Sequence, residues 1–257
     1  MQKVRAKKHL GQHFLTDKNI AKNIAHALTS HGNYKKVLEI GPGMGVLTQF
    51  LLESDKEIFV VEIDQESVNY LKNNFPKLNE HIIEGDFLKL SINKLFNEPI
   101  AIIGNFPYNI SSQILFKVME HYQQIPEMVG MFQKEVAERI AAKHGNKTYG
   151  ILSVMIQVFY EIEYLFTVHE HVFSPPPKVK SAVIRLKRKE ILPENLDEKH
   201  FKNVVKTAFN QRRKTLRNAL NSLINNENIT KVEPFLKYRA EQLSVDDFIQ
   251  LAKLLMK

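Results

Sequence analysis

The chain has 257 residues and no cysteine, which excludes disulfides, thiol catalysis and cysteine-bound zinc. Its hydrophobic fraction of 44% and charged fraction of 25% are ordinary for a globular protein with a core of normal size. The formal net charge of +8 favours a polyanionic partner, and no apolar run is long enough to cross a membrane.

Short apolar runs alternate with helical patterns from about residue 35 to residue 133. Strands are predicted at 36–40, 58–63, 81–84, 100–104, 128–132, 154–160 and 180–187, with helices between them that include 47–52 and 67–74. Several of these strands are apolar on both faces, as in a buried parallel sheet. The alternation therefore predicts βαβ units in a doubly wound, Rossmann-like α/β sheet.

The pattern changes after about residue 188, where strand signals stop. Phe201, Val204 and Ala208 recur at helical spacing, and Ser244 with Asp247 forms a capping box ahead of another helix. We therefore predict a first domain at 1–189 and a small helical domain at 190–257.

A glycine-rich turn follows the first strand, with Gly41, Gly43 and Gly45, and Glu62 ends the second strand. Glycines admit a ligand close to the backbone, and a carboxylate at the second strand end can accept both hydroxyls of a ribose. A dinucleotide site prefers G-x-G-x-x-G, whereas the third glycine here comes one place early. This spacing favours S-adenosylmethionine, which needs no helix amino terminus for a pyrophosphate. Asp86, after the third strand, could accept from the adenine amino group.

The fourth strand runs into Asn105-Phe106-Pro107-Tyr108, at the sheet edge where open α/β sheets bind ligands. The lone pair of an adenine N6 is delocalised into the ring, so the amine is a poor nucleophile. Two acceptors, the Asn105 side-chain oxygen and the Phe106 carbonyl, could hold its hydrogens and free the lone pair. Pro107 stiffens the turn, and Tyr108 offers a face for stacking. Phe173 is a candidate for the other side of the base pocket.

Several motifs together resemble one family, the ribosomal RNA adenine N6,N6-dimethyltransferases, and most closely the KsgA/RsmA-type small-subunit enzymes of bacteria. The segments that carry the resemblance over nearly the whole chain are 8–15, the glycine loop, 61–64, 85–88, 105–109, 133–137, 173–179 and 209–214. The resemblance implies a methyltransferase that uses S-adenosylmethionine. It also implies a target of two adjacent adenosines in a hairpin near the 3′ end of 16S rRNA. No pair of histidines has metal-ligand spacing, so no metal is expected.

The resemblance also implies residue roles. The cofactor-binding residues are then His13, Leu15, Gly41, Gly43, Glu62, Asp86 and Asn105. The family usually has Asn at the position of His13 and Leu at that of Phe106; a backbone contact at either position would be unaffected.

Basic residues gather near the amino terminus, around residues 178–189 and around residues 212–217. Such clusters are typical of a nucleic-acid footprint, and the helical domain is then a domain for RNA binding and target selection. The candidate RNA contacts are Lys7, Lys8, Lys178, Arg212, Arg213, Lys214 and Arg217. Arg213 and Arg217 are predicted to share one face of a helix, at i and i+4.

The resemblance further implies a pre-ribosomal 30S particle as partner and a role in small-subunit biogenesis. Because the basic amino terminus lacks the apolar part of a signal peptide, a cytoplasmic protein is expected. A monomer is also expected. The alternatives are a same-fold methylase of large-subunit rRNA (resistance type), DNA or protein glutamine, a dinucleotide oxidoreductase, and an assembly factor without catalysis.

Overall fold

The structure, a computed structural model, describes residues 4–256, with the exception of the Asn79 side chain. These residues divide into two compact units. The first contains the residues up to Ala137 together with Glu161–Arg188, and the second contains Glu138–Tyr160 and the residues from Lys189 onward. The predicted domain boundary at 189/190 lies one residue after the junction between Arg188 and Lys189, and residues 138–160, predicted in the first domain, belong to the second unit. The division of functions between the two predicted domains stays a prediction.

The strands belong to the first unit, except for the first residue of β7. Their bounds are β1 Phe14–Leu15, β2 Lys36–Ile40, β3 Glu57–Glu62, β4 Ile82–Glu84, β5 Ile100–Asn105, β6 Glu127–Gln133, β7 Tyr160–Val168, β8 Phe173–Ser174 and β9 Ser181–Arg188. The main sheet has the order β4-β3-β2-β5-β6-β9-β7. Its strands β2 to β6 pair in parallel, whereas β9 runs antiparallel to β6. The predicted parallel sheet is therefore confirmed, and the carboxyl ends of β2 to β5 lie along one edge.

Helices connect these strands and form most of the second unit. Their bounds are α1 Lys18–Ala25, α2 Thr48–Leu51, α3 Gln65–Asn74, α4 Ile92–Leu95, α5 Ser111–Glu120, α6 Lys134–Ala141, α7 Ile151–Gln157, α8 Glu198–Asn210, α9 Leu216–Ala219, α10 Ile229–Leu236 and α11 Val245–Leu254. The predicted capping box opens α11, where Ser244 accepts from the Asp247 N–H at 3.1 Å. None of the helices in residues 4–256 has the length and hydrophobicity of a membrane span.

The strand predicted at 154–160 is wrong, because most of this segment forms helix α7. A short apolar run fits a buried helix as well as a strand, and here local hydrogen bonds favour the helix. Ser153 accepts from the Gly150 N–H at 3.0 Å and donates to the Arg139 carbonyl at 2.5 Å. Helix α7 packs on α8 and α11, which is why this segment belongs to the second unit.

The helix predicted to carry Arg213 and Arg217 is also interrupted. Helix α8 ends at Asn210, residues 211–214 form a turn, and α9 begins only after Thr215, whose backbone is extended. Arg213 therefore lies outside a helix, and the i, i+4 relation to Arg217 does not hold. Helix α9 itself is only four residues long and ends at Ala219.

Candidate active site

A cavity of about 290 Å³ opens at the carboxyl ends of β2 to β5. The loops after these four strands form one side of it, and residues 9–14 of the amino-terminal segment form another. Most of the predicted cofactor and catalytic residues line this cavity: His13, Gly41, Gly43, Glu62, Asp86, Asn105, Phe106, Pro107 and Tyr108. Parallel strands bring their carboxyl ends together, so residues far apart in sequence meet here.

The glycine loop after β2 adopts left-handed backbone conformations. Gly41 has φ +66°, and a β-carbon added there would meet no atom within 4 Å. Gly43 has φ +55°, and an added β-carbon would lie 2.9 Å from the Phe14 ring. Gly41 thus leaves room for a ligand close to the backbone, whereas Gly43 leaves room for the amino-terminal segment.

Glu62 ends β3 and is only 4% exposed. Its carboxylate accepts from the backbone N–H groups of Gly43 at 3.1 Å, Ile63 at 2.9 Å and Asp64 at 2.9 Å. Burial raises the pKa of Glu62, although these backbone donors oppose the shift. The contacts fix the carboxylate against the glycine loop, and because Oε1 accepts two of these bonds and Oε2 only one, the remaining acceptor capacity lies on Oε2.

Asp86 follows β4 and caps the short 3₁₀ turn Phe87–Lys89. One carboxylate oxygen, Oδ1, accepts from the Leu88 N–H at 2.9 Å. The capping contact orients the side chain, and the remaining acceptor capacity of the carboxylate suits an exocyclic amine in the cavity.

Asn105 is the last residue of β5, and its amide has a defined orientation. Its Nδ2 group donates to the His13 carbonyl at 2.9 Å, which makes Oδ1 the end available to accept from a ligand. The neighbouring Phe106 side chain is buried, with its ring 5.2 Å from that of Phe132. The aromatic ring therefore anchors the turn that begins at Asn105.

The rings of Tyr108 and His13 stack, with centroids 5.6 Å apart and planes inclined by 27°. The Tyr108 hydroxyl shares a hydrogen bond of 2.6 Å with Ser181 Oγ, and burial raises the pKa of Tyr108. His13 Nδ1 donates to the Pro175 carbonyl at 2.8 Å, which requires the proton on Nδ1. Both rings are thus held in place at the rim of the cavity.

Two predicted site residues do not line this cavity. Leu15 and Phe173 are 3% and 4% exposed and are paired with each other across β1 and β8. Both belong to the apolar core of the first unit. They support the segment that carries His13, and a direct contact of either with a ligand stays a prediction.

Glu39 is a further candidate residue of the site, which the sequence motifs did not identify. It lies in β2 at 2% exposure and accepts from the Thr48 hydroxyl at 2.6 Å. Burial raises its pKa to about 8, against the Thr48 hydrogen bond and with the help of the Glu62 charge. It lines a small pocket together with Gly41 and Asn105. An acid inside an apolar strand, directly before a glycine loop, is the sequence signal for it.

The predicted RNA contacts fall into two groups. Lys7, Arg212 and Arg217 have protein partners: Lys7 pairs with Asp64, Arg212 donates to the Lys147 and Tyr149 carbonyls, and Arg217 lies 2.6 Å from Glu233. The remaining residues are exposed, and within residues 4–256 their side chains form no hydrogen bond or ion pair with the protein: Lys8, Lys178, Arg213 and Lys214. Lys3, which belongs to the first basic cluster, lies outside the described residues.

Comparison with known proteins gives consistent matches over the whole chain. The family model described as ribosomal RNA adenine dimethylase matches residues 3–257. The ribosomal RNA small subunit methyltransferase A of Cytophaga hutchinsonii is 62% identical over 256 residues, covering 99% of both chains. The protein of the same name from Flavobacterium johnsoniae is 60% identical, covering 98% of this chain and 97% of its own.

Solved structures agree with these sequence matches. A dimethyladenosine transferase from Plasmodium falciparum superposes with a TM-score of 0.81 at 28% identity, covering 93% of this chain and 96% of its own. The 23S rRNA methyltransferase ErmE superposes with a TM-score of 0.72, over 94% of this chain and 99% of its own. At 24% identity, the second likeness concerns the fold alone. The predicted Rossmann-like methyltransferase fold is confirmed.

Proposed function

Because the chain belongs to the ribosomal RNA adenine dimethylase family, we propose that it dimethylates N6 of two adjacent adenosines in small-subunit rRNA. One observation carries the assignment of the reaction centre. The Asn105 amide is turned by its bond to the His13 carbonyl, so that its oxygen is the free end beside the cavity. This is the orientation that an acceptor for an exocyclic amine needs. The resemblance inferred from the motifs is confirmed by the family match.

The cavity fits S-adenosylmethionine as the methyl donor. Gly41 is open on its Cβ side, so an adenosine can approach the backbone, and the Glu62 carboxylate retains acceptor capacity for the ribose hydroxyls. Asp86 is placed to accept from the adenine amino group of the cofactor. Bound in this way, S-adenosylmethionine supplies a methyl group on a positively charged sulfur atom.

The chain's own residues then prepare the target amine. The Asn105 oxygen and the Phe106 carbonyl accept the two N6 hydrogens, which draws the nitrogen towards tetrahedral geometry and localises its lone pair. These acceptors matter most as positive charge develops on N6, so they stabilise the transition state more than the bound substrate. Tyr108, held by Ser181, offers a ring for the target base. The excess proton leaves N6 for solvent once the nitrogen is cationic.

A second transfer to the same nitrogen follows from the same geometry. Monomethyladenine retains one N6 hydrogen, which one acceptor can hold while the methyl group takes the other place. The aromatic ring of Tyr108 accommodates a methyl group better than a polar wall would. N6,N6-dimethyladenosine is therefore the expected product. Phe173, which lies in the core, is not needed for this argument.

The target is an rRNA hairpin near the 3′ end of 16S rRNA within a pre-ribosomal 30S particle, bound by a monomeric cytoplasmic protein. The relatives' name, ribosomal RNA small subunit methyltransferase A, favours this target over large-subunit rRNA or DNA. The net charge of +8 and the exposed basic side chains of Lys8, Lys178, Arg213 and Lys214 suit an RNA partner.

The test uses the purified protein, labelled S-adenosylmethionine and small ribosomal subunits from cells that lack this modification. We expect N6,N6-dimethyladenosine, at two adjacent positions of 16S rRNA, after digestion and mass spectrometry of the nucleosides. Large subunits and duplex DNA serve as competing substrates. Label confined to either competitor, or N6-monomethyladenosine as the end product, would contradict the proposal.

A further inference from the structure

Lys117 lies on helix α5, with its ammonium group beneath the loop that follows Asp86. Its Nζ atom donates to the carbonyl oxygens of Phe87 at 2.7 Å, Leu88 at 2.9 Å and Leu90 at 2.5 Å. A lysine ammonium has three hydrogens, so these carbonyls use all of its donors. The same group lies 5.2 Å from the centroid of the Phe87 ring.

These carbonyls belong to the short 3₁₀ turn Phe87–Lys89 and to the residue that ends it. The Phe87 carbonyl also accepts from the Leu90 N–H at 3.1 Å, and carbonyl groups at the end of a helical turn carry partial negative charge. A cation that donates to three of these carbonyls at once holds the turn in place. Burial lowers the pKa of Lys117, while the nearby charge of Asp86 acts in the opposite direction.

The turn held by Lys117 also sets the direction of the Asp86 carboxylate. Asp86 Oδ1 accepts from the Leu88 N–H at 2.9 Å, and the carbonyl of the same Leu88 accepts from Lys117. Asp86, Phe87 and Leu88 all line the cavity. A shift of Leu88 would therefore move both the wall of the cavity and the carboxylate that faces the adenine amino group.

We propose that Lys117 is a positioning residue that fixes the turn after Asp86 and so sets the selectivity of the cavity for an adenine over a 6-oxopurine. The inference rests on the proposed function, because it takes the adenine of the cofactor as the partner of Asp86. A 6-oxopurine has an oxygen in place of the amino group, so it cannot donate to the carboxylate there. Lys117 itself touches neither ligand nor substrate.

The experiment measures the dissociation constants of S-adenosyl-L-homocysteine and S-inosyl-L-homocysteine by calorimetry. The full-length protein is compared with Lys117→Met, which keeps the apolar stem, and with Lys117→Gln, which keeps some donors. Lys36→Met is the matched control, since Lys36 is a partly buried lysine that pairs with Glu98 at the amino end of β2, away from the cavity. Thermal melting establishes that each variant is folded.

For Lys117→Met we expect binding of the adenosyl compound to weaken roughly tenfold, as for loss of a charged hydrogen-bonding group. The preference for adenosyl over inosyl should fall by about fivefold or more, with Lys117→Gln between this variant and the wild type. Lys36→Met should keep the wild-type preference. Equal weakening for both compounds in both Lys117 variants would reduce Lys117 to a merely structural group and overturn the inference. A wild type that binds both compounds equally would also overturn it, whereas one that binds neither contradicts the proposed function itself.

Discussion

The ammonium group of Lys7 forms an ion pair with the carboxylate of Asp64, whose side chain is fully buried. Asp64 lies two residues after Glu62 and caps helix α3, and Lys7 directly precedes the segment that covers the cavity. Lys7 also lies 3.2 Å from Glu66. Burial acts to raise the pKa of Asp64, but the contact with Lys7 and other hydrogen bonds outweigh it and the pKa is lowered. The pair thus joins the amino-terminal segment to the strand end that carries Glu62.

Replacement of Lys7 by Met should therefore affect the cofactor more than the RNA. With the ion pair lost, residues 9–14 are held less firmly over the cavity, and we expect S-adenosylhomocysteine to dissociate roughly twofold faster or more. Stopped-flow displacement measures this rate. Lys8→Met is the matched control, because Lys8 is exposed and should influence RNA binding instead. The opposite outcome, an unchanged dissociation rate with a reduced salt dependence of RNA binding, would restore Lys7 to the RNA contacts.

Glu62→Gln should weaken binding of S-adenosylmethionine by about 1–3 kcal/mol, since it removes a charge-assisted acceptor for the ribose hydroxyls. The Gln side chain has nearly the same volume, but it also places an amide group near the donors of Gly43, Ile63 and Asp64. The variant should therefore also have a lower melting temperature than the wild type in the absence of ligand. Calorimetry separates the two effects, and an unchanged affinity would remove Glu62 from the cofactor site.

Asn105→Ala removes an acceptor that is most needed as the amine becomes tetrahedral, so the loss should fall mainly on kcat. We expect a decrease of about 10²-fold or more, by analogy with losing one preorganised polar group. Asn105→Asp is a useful companion, because a carboxylate accepts but cannot donate to the His13 carbonyl. It should also be slow. Near-normal turnover of Asn105→Ala with saturating RNA would exclude the proposed role, whereas near-normal turnover of Asn105→Asp would show that the bond to the His13 carbonyl is not needed.

The strand ends were predictable because they depend on local patterns. The runs that became β2, β3 and β5 are short, apolar and bounded by turn residues, so both their type and the edge that carries Gly41 and Glu62 followed from the sequence. Helix α7 was missed for the converse reason. Its apolar run fits either structure, and the deciding contacts of Ser153 depend on residues outside the run.

Contacts between distant segments could not be predicted in the same way. The Asn105 amide is oriented by the carbonyl of His13, 92 positions away, and no sequence pattern specifies that bond. Arg212 belongs to a basic cluster, yet it donates to the Tyr149 carbonyl at 3.2 Å. A charge cluster indicates the kind of partner that a surface prefers, but the fold decides which of its members are free.

The buried carboxyl group of Glu39 should make stability depend on pH. Its folded-state pKa of about 8 lies above the unfolded value of 4.5, so the folded state binds the proton more tightly. The associated stability is complete below about pH 4.5 and is lost as the pH rises through 8. Glu39→Gln remains neutral at every pH. Its stability relative to the wild type should therefore be higher at pH 9 than at pH 5, by on the order of 1 kcal/mol or more, which corresponds to about 2–4 °C in Tm.

The control for Glu39→Gln is Glu53→Gln, the same substitution at an exposed position. Thermal melting of both variants and the wild type between pH 5 and pH 9 makes the comparison. The same pH dependence in wild type and Glu39→Gln would show that Glu39 is ionised in the folded protein.

The exposed basic residues in the turn after α8, rather than Arg217, should determine how strongly RNA binding depends on salt. Arg213 and Lys214 are exposed in the turn between α8 and α9, whereas Arg217 is paired with Glu233 at 2.6 Å. Each contact with a single-stranded or duplex phosphate contributes about 0.7–0.9 to the log–log salt slope of binding. Replacing Arg213 and Lys214 by Ala should therefore lower the slope by about 1.4–1.8 units. Arg217→Ala, the matched control from the same basic cluster, should lower it less, because its charge is already partly neutralised. Filter binding to a 3′-terminal 16S rRNA hairpin at several salt concentrations measures the slopes, and an unchanged slope in the double variant would place this turn off the RNA.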